Sequence, residues 1–543
     1  MLPQNHTSET PQNRNTSKPE HRSYDYVIIG SGFGGSVSAL RLSEKGYKVL
    51  VIEKGKWFQP ADFPENNWRL NRWLWEPKIG CYGIFKMTFL NHVTALSGVG
   101  VGGGSLTYAN TLPVPKKDFF TSGSWKKLTD WETELKPFYD EAYRMLGAAH
   151  NPKLGTADRA LQQLAQEIGR EDQYHPSKVA VYFGEPGKTE KDPYFGGKGP
   201  TRTGCIHCGA CMTGCKHNAK NTLDKNYLHL AQQLGAKIIA EQEVFDVFPL
   251  DGEDGATGYR ISFKSRNTKT KGTKGNVTAK GVIFSGGVLG TVPLLLQLKK
   301  NSLPRLSDQI GCQVRTNNEA LVNVVSLNKD KGDFTEGIAI GSVLHTDEHS
   351  HLEPTIYGRG SGFFRMMVMP MAHGHYALKR YAKLLATLLR SPLAFLKATF
   401  TRRYASRSTY LLFMQTLDST LRIKQGRLTK MKTLRENGPK PSAFIPEAEN
   451  LAKRYERIVG GKAFVNFLET LFGIPTTAHI LGGAVMSETS EKGVIDKNNR
   501  VFGYQNMLVC DGSMISANPG VNPALSITAI SERAMSEIKS KVD

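Results

Sequence analysis

Apolar positions near the start of the chain form two short runs separated by one helical stretch. The runs 24–30 (Tyr-Asp-Tyr-Val-Ile-Ile-Gly) and 48–53 (Lys-Val-Leu-Val-Ile-Glu) are typical of buried parallel strands. Residues 33–45 predict a helix between them, which ends at Gly46. The pattern therefore predicts a β–α–β unit, and with it an α/β domain built on a parallel sheet.

Further along, helical and extended patterns follow one another without an internal repeat. Residues 125–170 predict two helices, and the runs 408–415 and 419–423 predict strands. A final helix is predicted over 523–539, because Asn522 is a good cap and Pro523 suits the first helical position.

One segment, 354–417, combines apolar and basic residues and contains no Asp or Glu. Apolar side chains recur every three or four positions, which predicts basic amphipathic helices, interrupted at Pro392. Two interpretations stay open. The helices lie on an anionic membrane, or they cover a substrate domain and turn a solvated basic face outward.

Composition is that of a soluble globular protein of two domains, or of one large domain with an insert. The 543 residues are 39% hydrophobic and 22% charged, with a net charge of +21. No nucleic-acid motif accompanies the basic excess, so no nucleic-acid partner is expected. Residues 1–22 are polar and predict a disordered tail without a secretory signal. Since no run of 18 apolar residues occurs, no transmembrane helix is expected. Because the cysteines cluster and no signal peptide precedes them, we expect a cytoplasmic protein, with peripheral membrane contact left open.

The first apolar run ends in Gly30-Ser-Gly32-Phe-Gly-Gly35, and the second ends on Glu53. Gly30 permits a tight turn, Gly32 lets backbone amides approach a pyrophosphate, and Gly35 allows close packing of helix and strand. Glu53 is placed to accept hydrogen bonds from a ribose. Together they predict dinucleotide binding, although this motif alone does not choose FAD over NAD.

Four of the seven cysteines, Cys205, Cys208, Cys211 and Cys215, have the spacing C-x2-C-x2-C-x3-C. Disulfides need an oxidising compartment, and structural zinc usually uses two separated pairs, so an iron–sulfur cluster fits this run best. Lys216 replaces the usual Pro, which leaves open whether three or all four cysteines bind metal.

Several further segments resemble the glucose–methanol–choline (GMC) oxidoreductase family, with the closest likeness to its cholesterol oxidase branch. They are the glycine-rich loop 97–105 with 106–110, the stretch 220–227, the segment 478–483 around His479, and the segments 508–513 and 520–528. The resemblance covers most of 24–300 and 475–535 and is thin between about 300 and 475.

The resemblance implies an α/β fold: a Rossmann-like FAD-binding domain, plus a substrate domain with an antiparallel sheet flanked by helices. We expect the FAD-binding domain over 23–305 and 475–543, with the cysteine-rich loop 201–222, and the substrate domain over 306–474. Because no His stands beside Tyr108-Ala109 to attach the flavin, the FAD is expected to be dissociable. The expected cofactor-binding residues are Gly30, Gly32, Gly35, Glu53, Gly102, Gly103, Ser105, Asn110, Val244, Asp511, Gly512, Asn522 and Pro523.

The same resemblance implies three catalytic residues. His479 takes the proton of a substrate hydroxyl and Asn522 holds its oxygen, while the alternative for His479 is a structural role in a turn. Glu353 is the candidate for an acid that reaches into the site, although a surface-loop acid explains it equally well.

The function implied is FAD-dependent oxidation of a lipophilic alcohol, foremost a 3β-hydroxysteroid such as cholesterol. The alternatives are an iron–sulfur dehydrogenase for another alcohol, a flavin desaturase or reductase, and a membrane-binding module with a vestigial flavin. An electron-acceptor protein, quinone or cytochrome is an expected partner if the cluster relays electrons.

Overall fold

The fold is described from a computed structural model that covers residues 23–426 and 431–541. The tail predicted over 1–22 lies outside these residues. The α-helices, labelled α1 to α12 in chain order, are Phe33–Glu44, Leu70–Trp73, Lys117–Thr121, Trp131–Met145, Thr156–Glu167, Tyr227–Gln233, Val288–Lys300, Ala377–Arg390, Pro392–Thr399, Pro446–Val459, Phe467–Phe472 and Ala524–Ser536.

A first sheet of seven strands is parallel at its centre. Ser23–Ile29 pairs in parallel with Val49–Ile52 on one side and with Lys274–Phe284 on the other. The other strands are Lys237–Ile239 at one edge, Met507–Val509 beside Lys274–Phe284, and the antiparallel hairpin Gln242–Pro249 and Tyr259–Ser265. The predicted β–α–β unit is confirmed, and Met507–Val509 brings the C-terminal segment into the same sheet.

Helices α1, α4, α6 and α12 pack together on this sheet. Helix α1 contacts both α6 and α12, and α12 also contacts α4. Their buried side chains, such as Val37, Leu135 and Leu525, join the strand residues in one continuous core. Because apolar side chains fill both faces of a parallel sheet, this core fixes where the strand ends and their loops lie.

A second sheet of seven strands is antiparallel throughout. Its strands, in spatial order, are Val368–Pro370, Gly461–Asn466, Ala320–Ser326, Ser408–Gln415, Ser350–Thr355, Ser342–His345 and Tyr174–Pro176. One face packs on α5 and α10 through residues such as Leu161 and Tyr455. The edge strand Tyr174–Pro176 comes from the segment 23–305, which the sequence assigns to the FAD-binding domain, yet it pairs with the antiparallel sheet.

Smaller ribbons connect the two sheets. They are Phe85–Phe89 with Thr94–Gly98 and Thr476–Thr477, Val314–Arg315 with Thr420–Lys424 and Lys432–Arg435, Trp75–Glu76 with Cys81–Tyr82, Ala149–His150 with Lys178–Val179, and Thr189–Glu190 with Arg202–Thr203. Within 23–426 and 431–541, none of the helices is both long enough and apolar enough to cross a bilayer.

Candidate active site

A cavity of about 740 Å³ lies between the two sheets and has two chemically different sides. One side is formed by the loops at the ends of the parallel strands, including Gly32 and Gly287. The other side is one face of the antiparallel sheet. Every second side chain of a strand points to this face, and Leu321, Tyr410 and Leu412 are among them. The cavity therefore joins a glycine-lined cleft to a mainly apolar chamber.

Glycines make the cleft because side chains would fill it or collide with backbone. A Cβ at Gly30, where φ is +105°, would lie 2.4 Å from the carbonyl oxygen of Ser285. A Cβ at Gly35 would lie 2.2 Å from the carbonyl oxygen of Gly30, and one at Gly103 would lie 2.7 Å from Cα of Gly32. The two glycine-rich loops thus meet at Gly32 and Gly103, while Gly35 serves the close packing of helix and strand.

Glu53 ends the second parallel strand and lines the cleft. Its Oε2 accepts hydrogen bonds from the backbone nitrogen of Ser31 at 3.1 Å and from its hydroxyl at 2.8 Å. Its Oε1 accepts from the backbone nitrogen of Gly55 at 2.9 Å. These bonds hold the carboxylate at the edge of the cleft, and ribose binding by Glu53 stays a prediction.

Asp511 connects two further loops of the cleft. Its Oδ2 accepts hydrogen bonds from the Gly287 nitrogen at 2.9 Å and the Thr291 hydroxyl at 2.5 Å. Its Oδ1 accepts from the Ser513 nitrogen at 2.8 Å and from the Ser513 hydroxyl at 2.5 Å. Burial raises the pKa of this carboxyl, and the four donors of these loops oppose that rise.

Most of the predicted cofactor residues line the cavity. They are Gly30, Gly32, Glu53, Gly103, Val244, Asp511, Gly512, Asn522 and Pro523. Gly35, Gly102, Ser105 and Asn110 lie behind this surface. Ser105 supports the loop by donating to the Gly102 carbonyl at 2.7 Å. Asn110 is buried with φ at +73°, and neither atom of its amide has a hydrogen-bond partner among the described residues.

His479 and Asn522 lie together where the cleft meets the chamber, and both line the cavity. His479 follows the short strand Thr476–Thr477, and its backbone nitrogen donates to the Thr477 hydroxyl at 2.9 Å. Asn522 precedes α12, whose N-terminal residue Ala524 also lines the cavity. The Asn522 Nδ2 is 3.5 Å from Nε2 of His479.

Glu353 is not a surface-loop acid, because it lies in the middle of the buried strand Ser350–Thr355 and is 1% exposed. Its carboxyl faces the Asn522 amide. Rotating that amide by 180° makes Nδ2 donate to the two Glu353 oxygens at 3.0 and 3.2 Å. Burial raises the pKa of Glu353 to about 8. Burial also lowers the pKa of the neighbouring His351 to about 3. Glu353 and His351 are therefore not an ion pair at neutral pH, although Oε1 of Glu353 lies 3.7 Å from Nε2 of His351.

Sequence reasoning missed Glu319, which contacts His479 directly. Its Oε2 is 2.6 Å from Nδ1 of His479, and its other oxygen accepts a hydrogen bond from the Ala478 backbone nitrogen. The carboxylate is fully buried. Asn317 and Asn318 precede it with φ of +59° and +41°, a conformation that Asn tolerates better than most residues. That doublet before an acid is the signal in the sequence that points to a special turn.

The four cysteines of the run line one small apolar pocket of about 20 Å³. In the part of the chain that the structure describes, no group of three or more His, Cys, Asp or Glu side chains has the arrangement of a metal site. The structure therefore does not support the iron–sulfur prediction.

Lys220 links the cysteine-rich loop to the second glycine loop. Its ammonium donates to the carbonyls of Leu106, Tyr108 and Cys211 at 3.1, 2.8 and 2.9 Å. Burial lowers the pKa of Lys220 to about 7. These bonds tie the stretch 220–227 to the second glycine loop at the edge of the cleft.

Known proteins resemble the chain over nearly its whole length. A cholesterol oxidase of Acinetobacter baumannii is 44% identical over 527 residues, which is 95% of each chain. A cholesterol oxidase of Mycobacterium tuberculosis (strain H37Rv) is 42% identical over 535 residues, 94% of this chain and 90% of the relative. Among solved structures, pyridoxine 4-oxidase from Mesorbium loti has a TM-score of 0.59 at 15% identity and covers 94% of this chain and 98% of that one, a likeness of fold.

Family models match the segments that build the site. The N-terminal GMC oxidoreductase model matches residues 201–303, and the C-terminal one matches 415–531, which includes His479 and Asn522. A Rossmann-like NAD(P)-binding domain model matches residues 28–57. With these matches, the two full-length relatives and the geometry of the cleft, the chain belongs to the GMC oxidoreductase family of FAD-dependent enzymes.

Proposed function

We propose that this enzyme oxidises the 3β-hydroxyl group of a sterol, such as cholesterol, to a ketone. The observation that carries the proposal is one juxtaposition. A buried carboxylate, Glu319, holds His479 at the junction between a dinucleotide cleft and an apolar chamber. The relatives of Acinetobacter baumannii and Mycobacterium tuberculosis, both more than 40% identical to this chain, are cholesterol oxidases.

The cleft fits FAD. Gly32 leaves open space toward it, since the nearest heavy atom to an added Cβ is 3.9 Å away. When bound, FAD supplies the hydride acceptor, and we propose that it is held without a covalent bond.

His479 acts as the base for the substrate hydroxyl. Because Glu319 accepts at Nδ1, the proton of the neutral ring lies on that nitrogen and Nε2 keeps its lone pair. Nε2 then takes the hydroxyl proton as the carbinol carbon loses its hydride. The positive ring that results is stabilised by the Glu319 carboxylate next to it.

Asn522 joins His479 to Glu353. In its rotated orientation the Asn522 amide donates from Nδ2 to the two Glu353 oxygens at 3.0 and 3.2 Å. Its carbonyl oxygen then faces Nε2 of His479 and accepts a hydrogen bond from the ring once Nε2 has taken the hydroxyl proton. The three groups therefore form one polar chain in an otherwise apolar chamber.

The chamber fits a rigid, apolar substrate. Beyond His479 its lining is mainly aliphatic and aromatic and includes Leu321, Ile340, Tyr357, Phe364, Met367 and Leu412. Such a surface binds by removing apolar area from water, and the polar chain at one end fixes a single hydroxyl.

Anaerobic bleaching of the flavin tests the proposal. The purified enzyme is mixed with 3β-hydroxysterols, their 3α epimers and long-chain primary alcohols, and flavin absorbance is followed. We expect fast bleaching by 3β-sterols, and none in His479→Ala with FAD still bound. Faster bleaching by primary alcohols contradicts the sterol assignment, and bleaching by His479→Ala contradicts the role of the base.

A further inference from the structure

Helices α8 and α9 turn a row of large apolar side chains toward solvent. They are Leu378, Leu385, Leu389, Leu393, Leu396 and Phe400, which we call the outer stripe. Their exposed fractions lie between 54% and 82%. Within α8 the stripe residues are seven and four positions apart, and from Leu393 to Phe400 in and after α9 they are three and four apart, so each helix presents its members on one face. Large apolar side chains exposed together and rimmed by polar residues mark a binding site.

The opposite face of the two helices is firmly attached to the protein, so the outer stripe is not a displaced core face. The guanidinium of Arg380 is buried and donates to the carbonyl of Thr470 at 2.8 Å. Lys383 forms an ion pair with Glu449 at 2.6 Å. In α9, Phe395 is buried against Phe464, with ring centroids 5.6 Å apart.

Positive charge surrounds the outer stripe. Five cations, which we call the basic rim, are exposed there: Lys379, Arg390, Lys397, Arg402 and Arg403. None of them has an ion-pair partner among residues 23–426 and 431–541. The segment 354–417 contains no Asp or Glu that could neutralise them. Two copies of this face would repel each other, whereas an anionic surface would attract it.

The outer stripe lies next to the apolar end of the cavity. Helix α8 contacts the strand Val368–Pro370, and Val368 packs in the same cluster as Phe395 of α9. Val368 and the neighbouring Met367 line the chamber. Next to them Met366 is 68% exposed.

We propose that the outer stripe and the basic rim dock the enzyme on an anionic phospholipid bilayer. Helices α8 and α9 lie in the plane of the headgroups, with the stripe inserted among the acyl chains and the rim on the phosphates. The reason for docking rests on the proposed function, since a sterol dissolves in the bilayer and enters beside Met367 and Val368. The binding itself does not depend on turnover.

Flotation of the full chain with sterol-free vesicles tests the docking. The vesicles are phosphatidylcholine alone or mixed with phosphatidylglycerol. Three triple variants are compared: Leu385→Gln/Leu389→Gln/Leu393→Gln for the stripe, Lys379→Gln/Arg390→Gln/Lys397→Gln for the rim, and Lys126→Gln/Lys127→Gln/Lys300→Gln as a charge-matched control at exposed positions elsewhere. Equal flavin content and equal thermal midpoints show that each variant is folded.

We expect wild type and control to float with the anionic vesicles and both test variants to stay behind. Each rim cation is worth about fivefold in partitioning, so the rim variant should lose about a hundredfold. Recovery of the rim variant equal to the control overturns the proposal. The proposal is also overturned if wild type does not float with anionic vesicles. It is overturned as well if the stripe variant floats like the control and differs from wild type only in being a monomer where wild type is a dimer.

Sterol oxidation is then measured separately, with sterol in detergent and in vesicles. If the enzyme floats but oxidises sterol in neither form, the proposed function fails while the docking stands. If it oxidises sterol in detergent but does not float, the docking fails while the proposed function stands.

Discussion

Replacing Glu319 by Gln tests whether its charge assists His479. Gln has nearly the same volume, and its side-chain oxygen can still accept the hydrogen bond from Nδ1. The substitution therefore removes the negative charge and leaves the contact. Glu319 acts through His479 and is a positioning residue, so its effect must appear in the chemistry of the histidine.

The magnitude follows from the 2.6 Å contact. At an effective dielectric constant of about 20, a full charge pair at this distance is worth about 6 kcal/mol. The Gln oxygen keeps part of this, and hydrogen bonds to charged groups exceed neutral ones by about 1–2 kcal/mol. We expect a net loss of about 2–4 kcal/mol in the transition state, which is a rate about thirty to a thousand times lower.

Anaerobic stopped-flow measures flavin reduction as a function of pH. In Glu319→Gln the limiting rate should fall, while the substrate concentration at half-maximal rate should stay the same. The rate-against-pH profile should shift to lower pH, because the ring holds its proton less tightly without the neighbouring negative charge. This downward shift is not expected for a merely structural residue. Glu469→Gln is the matched control, since Glu469 is also buried, has its pKa raised to about 8 and makes no bond to His479. A Glu319→Gln rate and pH profile that match this control would refute the reasoning.

Three further predictions concern stability and cofactor binding. Glu353 holds its proton in the fold up to about pH 8, but ionises near its ordinary value of 4.5 when unfolded, so its stabilising effect disappears as pH rises between these values. The thermal midpoint of Glu353→Gln minus that of wild type should therefore increase as pH rises through this window and stay constant above it. A difference in midpoint that does not change with pH contradicts the raised pKa. Gly103→Val should lose bound flavin after gel filtration, since its Cβ would lie 2.7 Å from Cα of Gly32; full flavin content contradicts this. Lys220→Met should lower the free energy of unfolding in urea by about 3 kcal/mol, because three carbonyls lose their donor. Lys216→Met is its control, and equal losses in the two variants contradict the prediction.

The sequence predicts those parts of the fold whose determining residues lie close together along the chain. The β–α–β unit needs only the period of its apolar residues and three glycines, all within 30 positions. His479 and Asn522 lie in segments that resemble the family, and the structure brings them within 3.5 Å of each other. Their catalytic roles stay predictions.

Long-range partners are the part that spacing does not reveal. Glu319 and His479 are 160 positions apart, and nothing in the chain ties an acid in one loop to a histidine in another. Glu353 carried two interpretations because an acid in a strand and an acid in a loop look alike until the sheet register is known. The cysteine run shows the opposite limit of local spacing. Its spacing suggested an iron–sulfur cluster, but among the described residues these side chains do not have the arrangement of a metal site.

The basic segment shows why charge pattern alone cannot define a surface. Lys379, Arg380 and Lys383 stand within five positions, yet only Lys379 is free for a membrane. Arg380 is 7% exposed and holds α8 to the carbonyl of Thr470, while Lys383 is paired with Glu449. Reversing all three charges would unfold the helix rather than test its outer face. Because the inward cations anchor α8, the outward Lys379 and the leucines around it are left for an external partner, on the side of the molecule where the apolar chamber lies.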